Sequence, residues 1–225
     1  MRYTIVQNSE SRSFPIGDPF LAGASAEGEI LVILGDSGSV AAGSTSSLSL
    51  AGGGVRTAIL VELGTESLGV HTGEASGREG SNVLGFARYR NGDDPPSSLV
   101  ELVRQPQSDP AAIEAARAVF EGAGLTVVVC ADQAGRIIDR LVRPKYNAAL
   151  RFLDEGLASA EAMDLTCRLG LNYPDGPIER VERGGLAHHY DVTQALFETY
   201  GVPGFAPARR AVVAARRREL ERAEG

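Results

Sequence analysis

The sequence predicts an α/β layer followed by an all-α half, and three observations carry that prediction. Continuous apolar runs at Ile30–Gly35 and Ala58–Leu63 suit strands covered on both faces, as in a parallel sheet. A helix start at Ser108-Asp109-Pro110 separates strand-like runs at Leu99–Val103 and Leu125–Cys130, so strands alternate with short crossovers. From about Gly135 onward the patterning is helical throughout. The chain therefore divides into an α/β domain over residues 1–133 and a helical domain over residues 134–225.

Each element has its own signal. Tyr3–Val6 is a short β-like run, and Ser/Pro/Gly-rich sequence follows it to about Gly28. Residues 36–54 are poor in charge and rich in Gly and Ser, and both helix and loop stay open there. Asn82–Tyr89 reads as a further strand. Asp109 is an N-cap candidate with proline in the first turn, and Ile113, Ala116, Val119 and Phe120 form a helical stripe that Gly122 and Gly124 end. In the helical half, Ile137, Leu141, Leu150, Leu153 and Leu157 lie near one face of a long helix that Pro144 should kink. Ser159 caps a second helix that stops at Gly170. After the loop NYPDGP and a short helix, Leu186, Tyr190, Thr193, Leu196, Phe197 and Tyr200 mark a third amphipathic face.

Composition narrows the function classes. The 225 residues carry a net charge of −7, which argues against a phosphate backbone as partner. Arginines do gather late, at Arg209, Arg210, Arg216, Arg217, Arg218 and Arg222, but Glu219, Glu221 and Glu224 interleave with them and predict a solvated helix. Cys130 and Cys167 have no metal-ligand spacing and read as buried free thiols. The start MRYTIVQNSESRSF lacks the order of a signal peptide, and no apolar run is long enough to span a membrane, so a cytoplasmic protein is expected.

Residues 135–186, GRIIDRLVRPKYNAALRFLDEGLASAEAMDLTCRLGLNYPDGPIERVERGGL, resemble the helical C-terminal domain of the L-3-hydroxyacyl-CoA dehydrogenase family. That family has a GF-V-N-R-L helix, an N-E-A segment, an acidic-Gly-x-A-S linker and a G-x-G-Y-P-x-G-P loop, in this order and at this spacing. Upstream, NVLGFARYR resembles the strand ending in the family's G-x-H-F-F-N-P, and LVELV resembles its L-V-E-I-V. AILVELGTESL resembles the strand and turn I-L-A-S-N-T-S-S-L; a rival register on GSTSSLSL at residues 43–50 would need a long insertion before the histidine position. The resemblance implies a truncated Rossmann-like parallel sheet followed by a 6-phosphogluconate-dehydrogenase-like helical domain. The helical domain forms the family's subunit interface, so a homodimer is expected.

The departures from the family are as specific as the matches. Family members follow the first strand with G-x-G-x-x-G, whose backbone N–H groups hold the dinucleotide pyrophosphate. Here that strand runs into QNSESRSFPIGDPF, and the sequence between it and ILVILG is too short for two more strands and their helices. The first and fourth strands are neighbours in this fold, so their loss would leave a smaller continuous sheet. No cofactor is therefore expected, NAD binding having gone with the missing half. The family's catalytic histidine position falls at Ala87 and its serine position at Glu66, while Asp139 replaces the asparagine of V-N-R-L. Glu101 alone is retained, as the carboxylate that would orient the histidine. His71 falls in a glycine-rich stretch that reads as a loop, and His188 and His189 read as surface or interface residues.

The expected function is a degenerate family member without NAD-dependent hydride transfer, which still holds an acyl-CoA or acts beside a partner enzyme. Two other readings stay open. One is a working 3-hydroxyacyl-CoA dehydrogenase of fatty-acid or aromatic-acid degradation with a substitute base. The other is a carboxylate-based hydrolase or lyase using Glu66, Glu101 and Asp139.

Overall fold

Strand β2 (Ile30–Leu34) is buried at every position, and that sets the architecture around it. Ile30, Val32 and Leu34 enter one apolar cluster while Leu31 and Ile33 enter another, so the strand shows no alternation because both faces of its sheet are covered. In the computed structural model residues 1–35 and 56–224 are described, and the chain divides into two compact units. The first comprises Met1–Arg90 and Pro96–Arg136, the second Asn91–Pro95 and the chain from Ile137 on. Residues 36–54, with the rival register at 43–50, lie outside the described residues.

The first unit holds a six-stranded sheet in the order β1 (Tyr3–Gln7), β2, β3 (Ala58–Glu62), β4 (Val83–Arg88), β5 (Leu99–Arg104), β6 (Thr126–Ala131). Only β4 and β5 pair antiparallel; the other neighbours are parallel. β1 pairs directly with β2, from Tyr3↔Ile30 to Gln7↔Leu34, so the sheet is continuous across the place where the family would carry further strands. The link between them forms a short helix, α1 (Pro19–Ala22), with Asp18 as its cap. Its aromatic rings explain why the link is ordered. Phe14 and Phe20 stack at 4.1 Å, Phe20 reaches Phe120 at 5.5 Å, and all are buried with Phe86. Phe120 comes from α3 (Pro110–Gly122), which lays Ala112, Ala115, Ala116 and Val119 on this face of the sheet. The opposite face is packed by Val61, Leu63, Leu68, Val83 and Val103. There a second short helix, α2 (Gly69–Thr72), carries His71, which is buried rather than on a loop.

The second unit is helical: α4 (Ile138–Asp154), α5 (Ala160–Leu171), α6 (Pro177–Arg183), α7 (Leu186–Tyr200), a 3-10 turn at Pro203–Phe205 and α8 (Arg209–Glu224). Pro144 lies inside α4, and Ser159 caps α5 as expected, accepting from the Ala162 N–H. Asn172, in the left-handed region at φ 54°, ends α5 two residues beyond the expected glycine stop. The loop to α6 explains its glycine. Asp164 accepts from Ile178 N–H at 2.8 Å and Glu179 N–H at 2.9 Å, and a Cβ on Gly176 would stand 2.1 Å from that side chain. α8 is the solvated arginine helix, with Arg218 holding Asp191 through two contacts of 2.7 Å. Two readings need correction. His189 is 1 % exposed rather than on the surface, and the free thiols Cys130 and Cys167 are half-buried rather than buried.

Among the described residues no helix is long and apolar enough to cross a membrane, and no group of three or more His, Cys, Asp or Glu could hold a metal ion.

Candidate functional site

The antiparallel pairing of β4 with β5 sets Ala87 directly opposite Glu101. Opposed residues share a face. Phe86, Val100 and Leu102 turn to the aromatic core, so Ala87 and Glu101 turn to the other face, at 6 % and 3 % exposure. Arg136 stands beside Glu101, its Nε 3.6 Å from Glu101 Oε2, and both side chains are buried. Arg136 arrives there through a backbone anchored by Gly135, which donates to Thr65 O at 2.8 Å. Its own φ of 49° is left-handed, a conformation costing a non-glycine residue on the order of 1 kcal/mol.

From Arg136 a polar chain runs outward. Its Nη2 donates to Gly64 O at 2.7 Å, and Gly64 N–H donates to Glu66 Oε1 at 3.1 Å. The same carboxylate oxygen lies 3.3 Å from His71 Nε2. Burial pushes the Glu66 carboxyl upward, but hydrogen bonds from His71 and from the backbone N–H groups of Glu66 and Gly64 outweigh it and hold the group below its usual range. An imidazole donating Nε2–H to that carboxylate keeps Nδ1 as its basic nitrogen, and Nδ1 is buried without a hydrogen-bond partner among the described residues. Asp132 caps α2, accepting from Leu68 N–H at 2.6 Å and Gly69 N–H at 2.9 Å. Cys130 is no nucleophile in this setting: burial, with Glu101 and Asp132 adding to it against Arg136, pushes its thiol up to about 11.

The sequence-predicted residues are thus distributed as follows. Glu66, Ala87 and Glu101 lie in the first unit, with Glu66 and Glu101 joined through Gly64 and Arg136. Asp139 lies in the second unit, in the first turn of α4, bonded to Arg143 at 2.8 Å. Arg143 Nη1 can only donate, so His189 Nδ1 accepts at 3.3 Å, and His189 Nε2–H donates to Asn147 Oδ1 at 2.9 Å. Each of the three carboxylates has a basic partner, which disfavours a shared proton between them. Arg136 and His71 were missed at the level of sequence. The signal for Arg136 was present: it follows Gly135 where the GF-V-N-R-L motif has phenylalanine.

Sheet and helices together define an α/β layer followed by a helical second domain. The C-terminal domain profile of 3-hydroxyacyl-CoA dehydrogenase matches residues 135–225. A 3-hydroxybutyryl-CoA dehydrogenase of Bradyrhizobium diazoefficiens is 35% identical over 104 residues, 46% of this chain and 36% of the relative. One from Mycobacterium tuberculosis is 30% identical over 147 residues, 64% of this chain and 50% of the relative. The crystal structure of (S)-3-hydroxybutyryl-CoA dehydrogenase from Ralstonia eutropha superposes with a TM-score of 0.72 at 23% identity, covering 83% of this chain and 65% of that one. Residues 135–225 thus match the C-terminal domain of the 3-hydroxyacyl-CoA dehydrogenase family, and the relatives extend the similarity upstream of it. The chain spans half or less of the length of these two curated relatives.

These similarities correct the expectation that no cofactor takes part, because the relatives are dehydrogenases by name. The absent glycine motif excludes one way of holding a pyrophosphate and does not measure whether a cofactor binds. The residues after β1 do not fit that way. They read Asn8-Ser9-Glu10-Ser11, and the N–H groups of Ser13 and Gly35 are both taken by the buried Glu62 carboxylate, at 2.7 Å and 2.8 Å.

Proposed function

We propose that this chain is a 3-hydroxyacyl-CoA dehydrogenase family protein that holds an acyl-CoA thioester without the imidazole-dependent oxidation of its hydroxyl. One observation carries the reading: the residue opposite Glu101 is Ala87, and the cation beside Glu101 is Arg136. An alanine methyl accepts no proton, and a guanidinium does not deprotonate in proteins, so neither can serve as the base that oxidation of an alcohol requires. A calorimetric titration with butyryl-CoA tests the ligand class. Saturable binding is expected, and no heat at any concentration refutes it. Restoring both family residues with Ala87→His and Arg136→Phe tests the rest: with NAD+ added as the hydride acceptor, turnover of (3S)-3-hydroxybutyryl-CoA is expected in that double variant and not in the parent.

A second reading, a working dehydrogenase, draws support from the His71–Glu66 pair, a buried imidazole with a carboxylate on one nitrogen. It predicts NADH-dependent reduction of acetoacetyl-CoA that His71→Gln abolishes. For the assembly we propose a homodimer through the helical unit, in keeping with Leu165 and Leu169, one turn apart on α5 and 51 % and 79 % exposed.

A further inference from the structure

Arg136 is only 6 % exposed, yet just one of its nitrogens is hydrogen-bonded, Nη2 to Gly64 O. Its Nε and Nη1 have no hydrogen-bond partner among the described residues. Glu101, at 3.6 Å, balances the charge without closing a hydrogen bond. Buried donors without acceptors are costly, and a guanidinium held in left-handed backbone is positioned at a further cost, so the arrangement suits an acceptor that arrives from outside. Charge balance selects the kind of acceptor. A carboxylate or phosphate would put a second negative group beside Glu101, whereas an uncharged carbonyl oxygen takes two N–H donors and adds no charge.

We propose that Arg136 is a ligand-binding residue that donates to the uncharged 3-oxo oxygen of an acyl chain, two carbons beyond the thioester carbonyl, so that this chain binds an oxygen at the place where the dehydrogenases it resembles remove a proton. The inference rests on the acyl-thioester reading above and adds to it the residue and the kind of atom bound. It concerns the first unit alone, where Arg136, Gly64 and Glu101 all lie.

The test is a set of calorimetric titrations with acetoacetyl-CoA, butyryl-CoA and malonyl-CoA, on the full chain and on Arg136→Lys. Lysine keeps a positive charge opposite Glu101 but loses the rigid fork of donors. Acetoacetyl-CoA is expected to bind about tenfold more tightly than either of the others, and Arg136→Lys to erase that preference. A melting curve shows whether the variant is folded; if it is not, the ranking of ligands on the parent chain decides. Equal binding of all three, or tightest binding of malonyl-CoA, overturns the assignment of Arg136 and leaves the acyl-CoA reading standing. A preference that survives in a folded Arg136→Lys does the same. No binding of any of them overturns the acyl-CoA reading and this inference together.

Discussion

Glu101 is worth keeping even where the histidine it would orient is absent, because Arg136 depends on it. A buried cation that loses its counter-ion keeps its desolvation penalty, so Glu101→Gln is expected to lower the unfolding free energy by about 3–5 kcal/mol. Replacing both members, with Glu101→Leu and Arg136→Phe, should recover most of that loss in urea denaturation, since no charge is then left buried. The other residue whose charge state matters to the fold is His189. Burial, with the positive charges of Arg143 and His188 adding to it, pushes its imidazole from 6.5 down to about 3. Its neutral form is the folded form, so its contribution is fully present above the unfolded value. As the pH falls from 6.5 toward 3 the unfolded chain alone binds the proton, and stability is lost across that window. The slope reaches about 1.4 kcal/mol per pH unit, and His189→Gln is expected to remove that share when unfolding is compared at about pH 6 and about pH 5.

At the scale of elements, the strongest local device is the reach of Asp164 across to the start of α6. Asp164→Ala leaves two helix N–H groups without an acceptor and should cost about 1–2 kcal/mol by thermal unfolding, with α6 the first element to lose hydrogen-exchange protection. Elements with strong patterns were legible in the sequence. The runs ILVIL and AILVE, the Asp109-Pro110 start of α3 and the Ser159 cap of α5 all announce themselves within a few residues. α1 and α2 were not legible, because a four-residue helix has no periodicity to show. They are held by tertiary contacts, Phe20 in the aromatic stack and Asp132 across the α2 N-terminus. The same cause hid much of the candidate site. Ala87 and Glu101 could be placed from the family's motifs, but the ion pair with Arg136 and the His71–Glu66 contact join residues far apart in sequence, and no local pattern encodes them. The depth of His189 was hidden likewise, since its partners Arg143 and Asn147 stand on another helix.

At the scale of the molecule, the described sheet runs without a gap from β1 to β6, and residues 135–225 match the family's C-terminal domain. The homodimer proposed through the exposed Leu165 and Leu169 of α5 predicts a dimer in sedimentation, and Leu165→Glu with Leu169→Glu should shift it to monomer while the helical signal in circular dichroism is unchanged. The proposal that Ala87 leaves no base opposite Glu101 can be tested directly. The most direct measurement is NADH absorbance over time with acetoacetyl-CoA and the full chain in its purified state. A flat trace, in a sample that calorimetry shows to bind the thioester, is the predicted result. Steady consumption that scales with protein and disappears in His71→Gln would contradict it and give the reaction a base at His71.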